Sequence, residues 1–171
     1  MTRLRAALAA LALTVTVLLT GCAGGTANTT AVINGVVIRE STVDDMAEAL
    51  VSSGAYSSYA EARSSASSNL IVGEVARQVA AKDGIALTPP DLPTLSKNNP
   101  TFATFLATPL GEEFATDHVN GSQVINQVPG WQAEFAAVKV QLNPRYGTWS
   151  DYISSSSGTV PTGSMSAVSG S

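Results

Sequence analysis

The sequence predicts an α+β domain, mostly helical, in which an N-terminal β-hairpin and a returning C-terminal strand form a small antiparallel sheet packed by three to five helices. Three observations predict it. Asn34-Gly35 joins two short β-branched runs, 31–33 and 36–38; this dipeptide tolerates the positive φ angles of a type I′ turn. Capped segments with apolar residues at helical spacing fill most of 41–127, and 137–142 then alternates apolar and polar residues with the period of a half-buried strand.

The first elements lie before the domain. Arg3 and Arg5 precede fifteen residues, 6–20, of Ala, Leu, Val and Thr without a charge, the n-region and h-region of a signal peptide over 1–21. At 1.5 Å per residue that run reaches about 22 Å as a helix, short of the roughly 30 Å of hydrocarbon a stable span requires. Leu19-Thr20-Gly21-Cys22 follows and resembles the lipobox of bacterial lipoproteins. The resemblance implies cleavage before Cys22 and a thioether from its sulfur to diacylglycerol. Two acyl chains, at about 0.8 kcal/mol per buried methylene, anchor firmly where one binds marginally. Residues 22–30 read as a flexible tether between lipid and domain, and removal of 1–21 leaves 150 of the 171 residues, enough for one core.

In the hairpin, strand alternation places Ala31, Ile33, Val36 and Ile38 on one face and Val32 with Val37 on the other. Ser41 followed by Asp44 resembles a capping box and predicts a helix over 42–52, with Val43, Met46, Ala47 and Leu50 on its inner face. Ser58 with Glu61 repeats the arrangement and opens an amphipathic helix of nearly seven turns, through Ala62, Ala66, Leu70, Val75 and Val79, which Gly84 ends. Thr88-Pro89-Pro90-Asp91 breaks the chain. Residues 92–100 carry too many breakers to assign, but Phe102, Phe105 and Leu106 mark a short apolar helix. Thr108-Pro109 with Glu112 and Glu113 starts another helix, to about residue 127, with Pro at its first position and acids where the helix dipole favours them. A lone hairpin is marginal in water, so the strand at 137–142 is expected to join it. The domain is assigned to 31–151, and 152–171, rich in Ser and Gly without apolar periodicity, to a disordered tail.

Composition excludes several functions. Nine Lys and Arg face thirteen Asp and Glu, and two of the nine lie in the segment expected to be removed. The other basic residues are scattered, so no clustered positive surface is available to displace counterions from phosphate, and no nucleic-acid partner is expected. One cysteine excludes an intramolecular disulfide, and with His118 the only histidine there is no soft-ligand set for zinc or iron–sulfur. No run has the carboxylate pattern of a calcium loop, and neither a phosphate-binding Gly-Lys-Ser/Thr loop nor a dinucleotide fingerprint occurs. The chain is therefore expected to use no metal, no nucleotide and no cofactor beyond the lipid on Cys22.

The segment Ala31-Val32-Ile33-Asn34-Gly35-Val36-Val37-Ile38-Arg39-Glu40-Ser41-Thr42-Val43-Asp44 resembles the opening of the SurA N-terminal-type chaperone domain, shared with trigger-factor-like and foldase lipoproteins. Lys82-Asp83-Gly84-Ile85 resembles the exit of that family's long helix, and Asn143-Pro144-Arg145-Tyr146-Gly147-Thr148-Trp149 is similar to the closing segment of its short actinobacterial lipoprotein members. The likeness covers roughly 30–151. Longer relatives insert a parvulin-type prolyl isomerase domain before the returning strand, and no such segment fits between Gln127 and Phe135. The resemblance thus implies a chaperone-like scaffold without the isomerase.

No residues are assigned to catalysis. His118 is the sole candidate base, its neighbour Asp117 points to another helix face, and no nucleophile elbow accompanies them. Glu112 and Glu113 are accounted for by the helix dipole. Asn28-Thr29-Thr30 and Asn120-Gly121-Ser122 match glycosylation sequons that a bacterial lipoprotein would not use. Trp131, Tyr146 and Trp149 lie within 19 positions of a chain only 6% aromatic, and are candidate peptide contacts, with core packing as the alternative. Two functions stay open: an extracytoplasmic holdase, membrane-bound through its lipid and gripping unfolded or exported polypeptide, and a structural envelope lipoprotein with one dedicated partner.

Overall fold

A computed structural model of the chain describes residues 28–155. The expected signal peptide over 1–21, the Leu19-Thr20-Gly21-Cys22 motif and the stretch beyond 155 lie outside the described residues. Strands β1 (Thr29–Ile33), β2 (Val36–Arg39) and β3 (Val140–Leu142) form one antiparallel sheet in the order β2-β1-β3. Seven α-helices are described with it: α1 (Glu40–Ser52), α2 (Tyr59–Asp83), α3 (Leu92–Asn98), α4 (Ala103–Leu106), α5 (Pro109–Gln127), α6 (Trp131–Ala137) and α7 (Trp149–Ser155). The α+β class and the closure of the sheet by a strand from the far end of the domain are as the sequence predicts.

The hairpin turn has φ of 46° at Asn34 and 92° at Gly35, the left-handed pair a type I′ turn demands. Ala31 faces Ile38 and Ile33 faces Val36 across the strands, with Val32 opposite Val37. Ala31, Ile33 and Ile38 are buried, but Val36 and Val37 are 45% and 48% exposed, since β2 is an edge strand. The ladder starts at Thr29, inside the stretch expected to be tether, because Asn143 ties this segment down: its N–H donates to the Thr30 carbonyl at 2.9 Å and its side-chain amide to the Thr29 carbonyl at 3.0 Å.

Helix α1 departs from expectation at its first residue. Ser41 is not its cap; the helix begins at Glu40, directly off β2, with Arg39 in the cap position and no side-chain cap. The Glu40 N–H, which a cap would otherwise serve, donates to the Asn28 carbonyl at 3.0 Å, so a neighbouring strand satisfies the exposed helix end. The expected inner face of Val43, Met46, Ala47 and Leu50 is buried.

Helix α2 is the axis of the domain. Ser58 caps it, accepting from the Glu61 N–H, and Gly84 ends it at φ 68°. It is not one-sidedly amphipathic: eight consecutive residues, 66–73, are buried, because α1 and α5 pack on it and the sheet rests against it. Its Ala, Ser and Gly content permits that enclosure. A Cβ at Gly73 would overlap the Asp117 side chain of α5, and one at Gly121 of α5 would stand 2.8 Å from Val72 Cγ1, so the α2–α5 crossing depends on two positions without side chains.

Thr108 caps α5 by accepting from the Gly111 N–H at 3.0 Å, and Pro109 occupies its first turn, as predicted. The unassigned stretch 92–100 contains α3, capped by Asp91 through the Thr94 N–H at 3.1 Å. Residues 131–137, partly expected as strand, are instead α6, and β3 begins only at Val140. Trp131 and Phe135, four residues and about one helical turn apart, are the buried residues of α6. Helix α7 runs to Ser155, beyond the 151 boundary predicted for the domain.

Candidate functional site

The three aromatic residues proposed from sequence as peptide contacts are core. Trp131, Tyr146 and Trp149 are 9%, 4% and 8% exposed. Phe135 sits between the tryptophans, edge-on to Trp131 with ring centres 5.2 Å apart and stacked with Trp149 at 6.5 Å. The Trp149 indole N–H donates to the Phe135 carbonyl at 3.1 Å. Phe135 and the two tryptophans pack together at the junction of α6 and α7, and the burial of all three candidates places them in the core.

Tyr146 serves a different closure. Its hydroxyl donates to Glu40 Oε2 at 2.7 Å, and the guanidinium groups of Arg63 and Arg145 both lie over its ring, 5.5 and 5.4 Å from the ring centre. Arg63 reaches the same Glu40 oxygen, while Arg145 reaches Glu40 Oε1 at 2.7 Å. Arg63 also donates to Asp44 Oδ1 at 2.7 Å, which accepts from the Tyr59 hydroxyl at 3.0 Å. Burial works to raise the Asp44 carboxyl, but these hydrogen bonds outweigh it and leave the group below its ordinary value. The cluster joins the start of α1, the first turns of α2 and the closing segment, and every charge in it meets an opposite one. It is a clasp.

His118 and Asp117 point apart on α5, as adjacent helical positions must. Asp117 turns inward to Gly73 and pairs with Arg77, which also pairs with Glu74 at 2.9 Å. Its Oδ2 is buried without a hydrogen-bond partner, and burial pushes the carboxyl up to about 6 against the pull of Arg77. That value lies above the ordinary 3.8, so the folded chain holds this proton more tightly than the unfolded one. The resulting stabilisation is complete below pH 3.8 and fades as pH rises through about 6. Urea titrations across that window are expected to show wild type losing stability relative to Asp117→Asn as pH increases. A difference that is flat or grows with pH would mean the Arg77 pair dominates.

His118 lines a cavity that combines aromatic rings with polar groups, one of them unmatched. Helices α2, α3, α4 and α5 enclose about 230 Å³, walled by Tyr56, Leu95, Phe102, Leu106, Phe114 and Ala115. Phe102 anchors the wall, edge-on to Tyr56 at 5.8 Å and tilted against Phe114 at 6.4 Å; Phe105 behind it is fully buried and meets Phe114 edge-on at 5.5 Å. The α2 side is polar, formed by Ser65, Ser68 and Asn69, with Asn99 and His118 completing the lining. Tyr56 donates its hydroxyl to Ser65 Oγ at 2.9 Å, and Asn69 donates to the Phe114 carbonyl at 2.7 Å. Ser68, 2% exposed, has a buried hydroxyl with no hydrogen-bond partner. Contact with apolar neighbours lowers the His118 imidazole below its ordinary range, so at neutral pH the lining carries no charge.

Sequence reasoning found the apolar helix at 102–106 without foreseeing that it walls a cavity, and it missed Tyr56, Ser68 and Phe114. The available signal was polar Ser and Asn within the most enclosed stretch of α2, whose hydroxyls and amides need partners wherever water is excluded. Among the described residues no group of three or more His, Cys, Asp or Glu could hold a metal ion, and no described helix is long and apolar enough to cross a membrane. No protein-family model, curated protein or solved structure matches this chain.

Proposed function

We propose that this chain is a lipid-anchored extracytoplasmic binding module, chaperone-like and non-catalytic, that holds unfolded or exported polypeptide through apolar side chains inserted between α2 and α3–α5. The observation that carries this reading is the uncharged, ring-walled cavity of about 230 Å³. An apolar concavity with few convergent polar groups is the ordinary form of a binding site. The lipobox-like motif at Cys22 supports the anchor, and the hairpin, long helix and closing segment support the SurA-type likeness. The diacylglyceryl group on Cys22 would position the domain at the outer face of the membrane, where exported chains emerge.

The proposal is tested with two forms of the protein. The native chain is expected to partition with membranes and to show a diacylglyceryl mass on a fragment starting at Cys22; Cys22→Ser is expected to release it. That soluble form, at equimolar ratio, is expected to slow the aggregation of an unfolded client at least severalfold, and Phe102→Ala is expected to remove most of the effect. Unchanged aggregation together with pull-down of a single tight partner would instead establish the dedicated-partner reading. The exposed Val36 and Val37 on edge strand β2 favour that second reading, because an edge strand can pair with an added one.

A further inference from the structure

We infer that the cavity between α2 and α3–α5 is built for one tyrosyl side chain of a bound polypeptide, an inference that rests on the polypeptide-binding reading above and gives it a residue preference. Size limits the occupant first. A volume of about 230 Å³ is below the roughly 300–1,000 Å³ of sites for drug-sized ligands, yet above the roughly 150 Å³ cavity that accepts benzene. One six-membered ring with a small substituent fits those bounds.

Charge limits it next. The lining contains no Asp, Glu, Lys or Arg, so an ionic group brought inside would lose hydration and gain no counter-charge. The occupant is neutral. Its faces are specified by the walls, since Phe102 and Phe114 present rings that favour an aromatic guest in edge-on or offset contact. A plain hydrocarbon would satisfy the rings but not the opposite side.

That opposite side supplies the independent observation. Ser68 is a lining residue, and its hydroxyl is buried and lacks a partner. A hydroxyl both donates and accepts, and leaving one buried and unmatched is costly. Beside it, Ser65 already accepts from Tyr56. A phenol oriented with its ring against Phe102 and Phe114 and its hydroxyl toward α2 would match Ser68. The mouth favours a side chain over a free phenol, because Asn99 and His118 are exposed there and can meet the main chain that continues on either side of an inserted residue.

The test uses the full chain from residue 22, carrying Cys22→Ser, with p-cresol and toluene as the side-chain probes and blocked tripeptides Gly-Tyr-Gly and Gly-Ser-Gly as competitors, followed by NMR titration. Saturable binding of p-cresol is expected, with toluene weaker by about five- to tenfold, the worth of one net hydrogen bond. Ser68→Ala should abolish that preference while leaving toluene binding unchanged. Gly-Tyr-Gly should displace p-cresol and Gly-Ser-Gly should not. Ala115→Leu, which fills the cavity, should prevent binding of both probes; should it fail to fold, Ser68→Ala decides alone. Absence of saturable p-cresol binding, or equal affinity for the two probes, overturns the inference, as does displacement by neither tripeptide. If client aggregation is suppressed while p-cresol does not bind, the residue preference fails and the holdase reading stands; if p-cresol and Gly-Tyr-Gly bind while aggregation is untouched, the site stands and the holdase reading fails.

Discussion

Glu40→Ala is expected to lower the unfolding free energy by about 3–5 kcal/mol, the usual cost of removing one member of a buried ion pair. The carboxylate is 7% exposed and holds two guanidinium groups and a phenol at once. Its loss removes the carboxylate that the Tyr146 hydroxyl donates to, and takes from Arg63 and Arg145 the counter-charge they share beside that ring. Arg145 can recover water more readily than Arg63, their side chains being 48% and 23% exposed, which places the expected loss toward the lower end of the range. Urea unfolding of Glu40→Ala, Tyr146→Phe and the double variant measures the coupling. Glu40 and Tyr146 should show at least about 1 kcal/mol of interaction free energy. A loss below about 1 kcal/mol for Glu40→Ala would mean the clasp is a surface pair, of the kind that contributes little.

The clasp also accounts for which parts of the molecule could be read from sequence. Local signals were legible wherever one residue and its chain neighbours decide the backbone. Asn34-Gly35 made the turn, Ser58 with Glu61 and Thr108 with Pro109 started helices, and Gly84 stopped one, all as their side-chain chemistry requires. Ser41 failed as a cap because the acceptor for the first helical N–H came from Asn28, twelve residues earlier, and no local pattern carries that information. The 137–142 alternation misled for a similar reason. It is real, but the helix that buries Trp131 and Phe135, with Phe135 stacked on Trp149, takes in Ala137, and only the last three residues of the stretch pair with β1.

The candidate site was the least legible part. Concentration of Trp131, Tyr146 and Trp149 in sequence is a signal for contact among large rings, and they do share the core, but nothing in the spacing distinguishes contact with each other from contact with a ligand. The cavity, by contrast, is assembled from Tyr56, Ser68, Phe102 and Phe114, drawn from three helices and a loop whose mutual placement is fixed by α2–α5 packing. Only the Ser-rich interior of α2 hinted that a polar surface would be enclosed.

Trp149→Ala separates the core from the site in one experiment. Truncating a buried tryptophan costs about 3–5 kcal/mol through lost contacts and the cavity left behind. Here the loss includes the hydrogen bond to the Phe135 carbonyl and the stacking on the Phe135 ring, so a fall in thermal midpoint is expected, several degrees for each kcal/mol in a domain of this size. Trp149 shares no residue with the cavity lining. Below its lowered midpoint the variant should therefore bind p-cresol with wild-type affinity, whereas Phe114→Ala, which cuts into the cavity wall, should weaken p-cresol binding even where the protein is fully folded. The opposite pattern, Trp149→Ala stable but impaired in binding, would return the tryptophan to the ligand surface and contradict the closed interior seen at α6 and α7. Retained affinity on a weakened fold would show that the two aromatic clusters do different work: the one bracketing β3 holds α6 to α7, and the one between α2 and α5 lines a cavity that admits a guest.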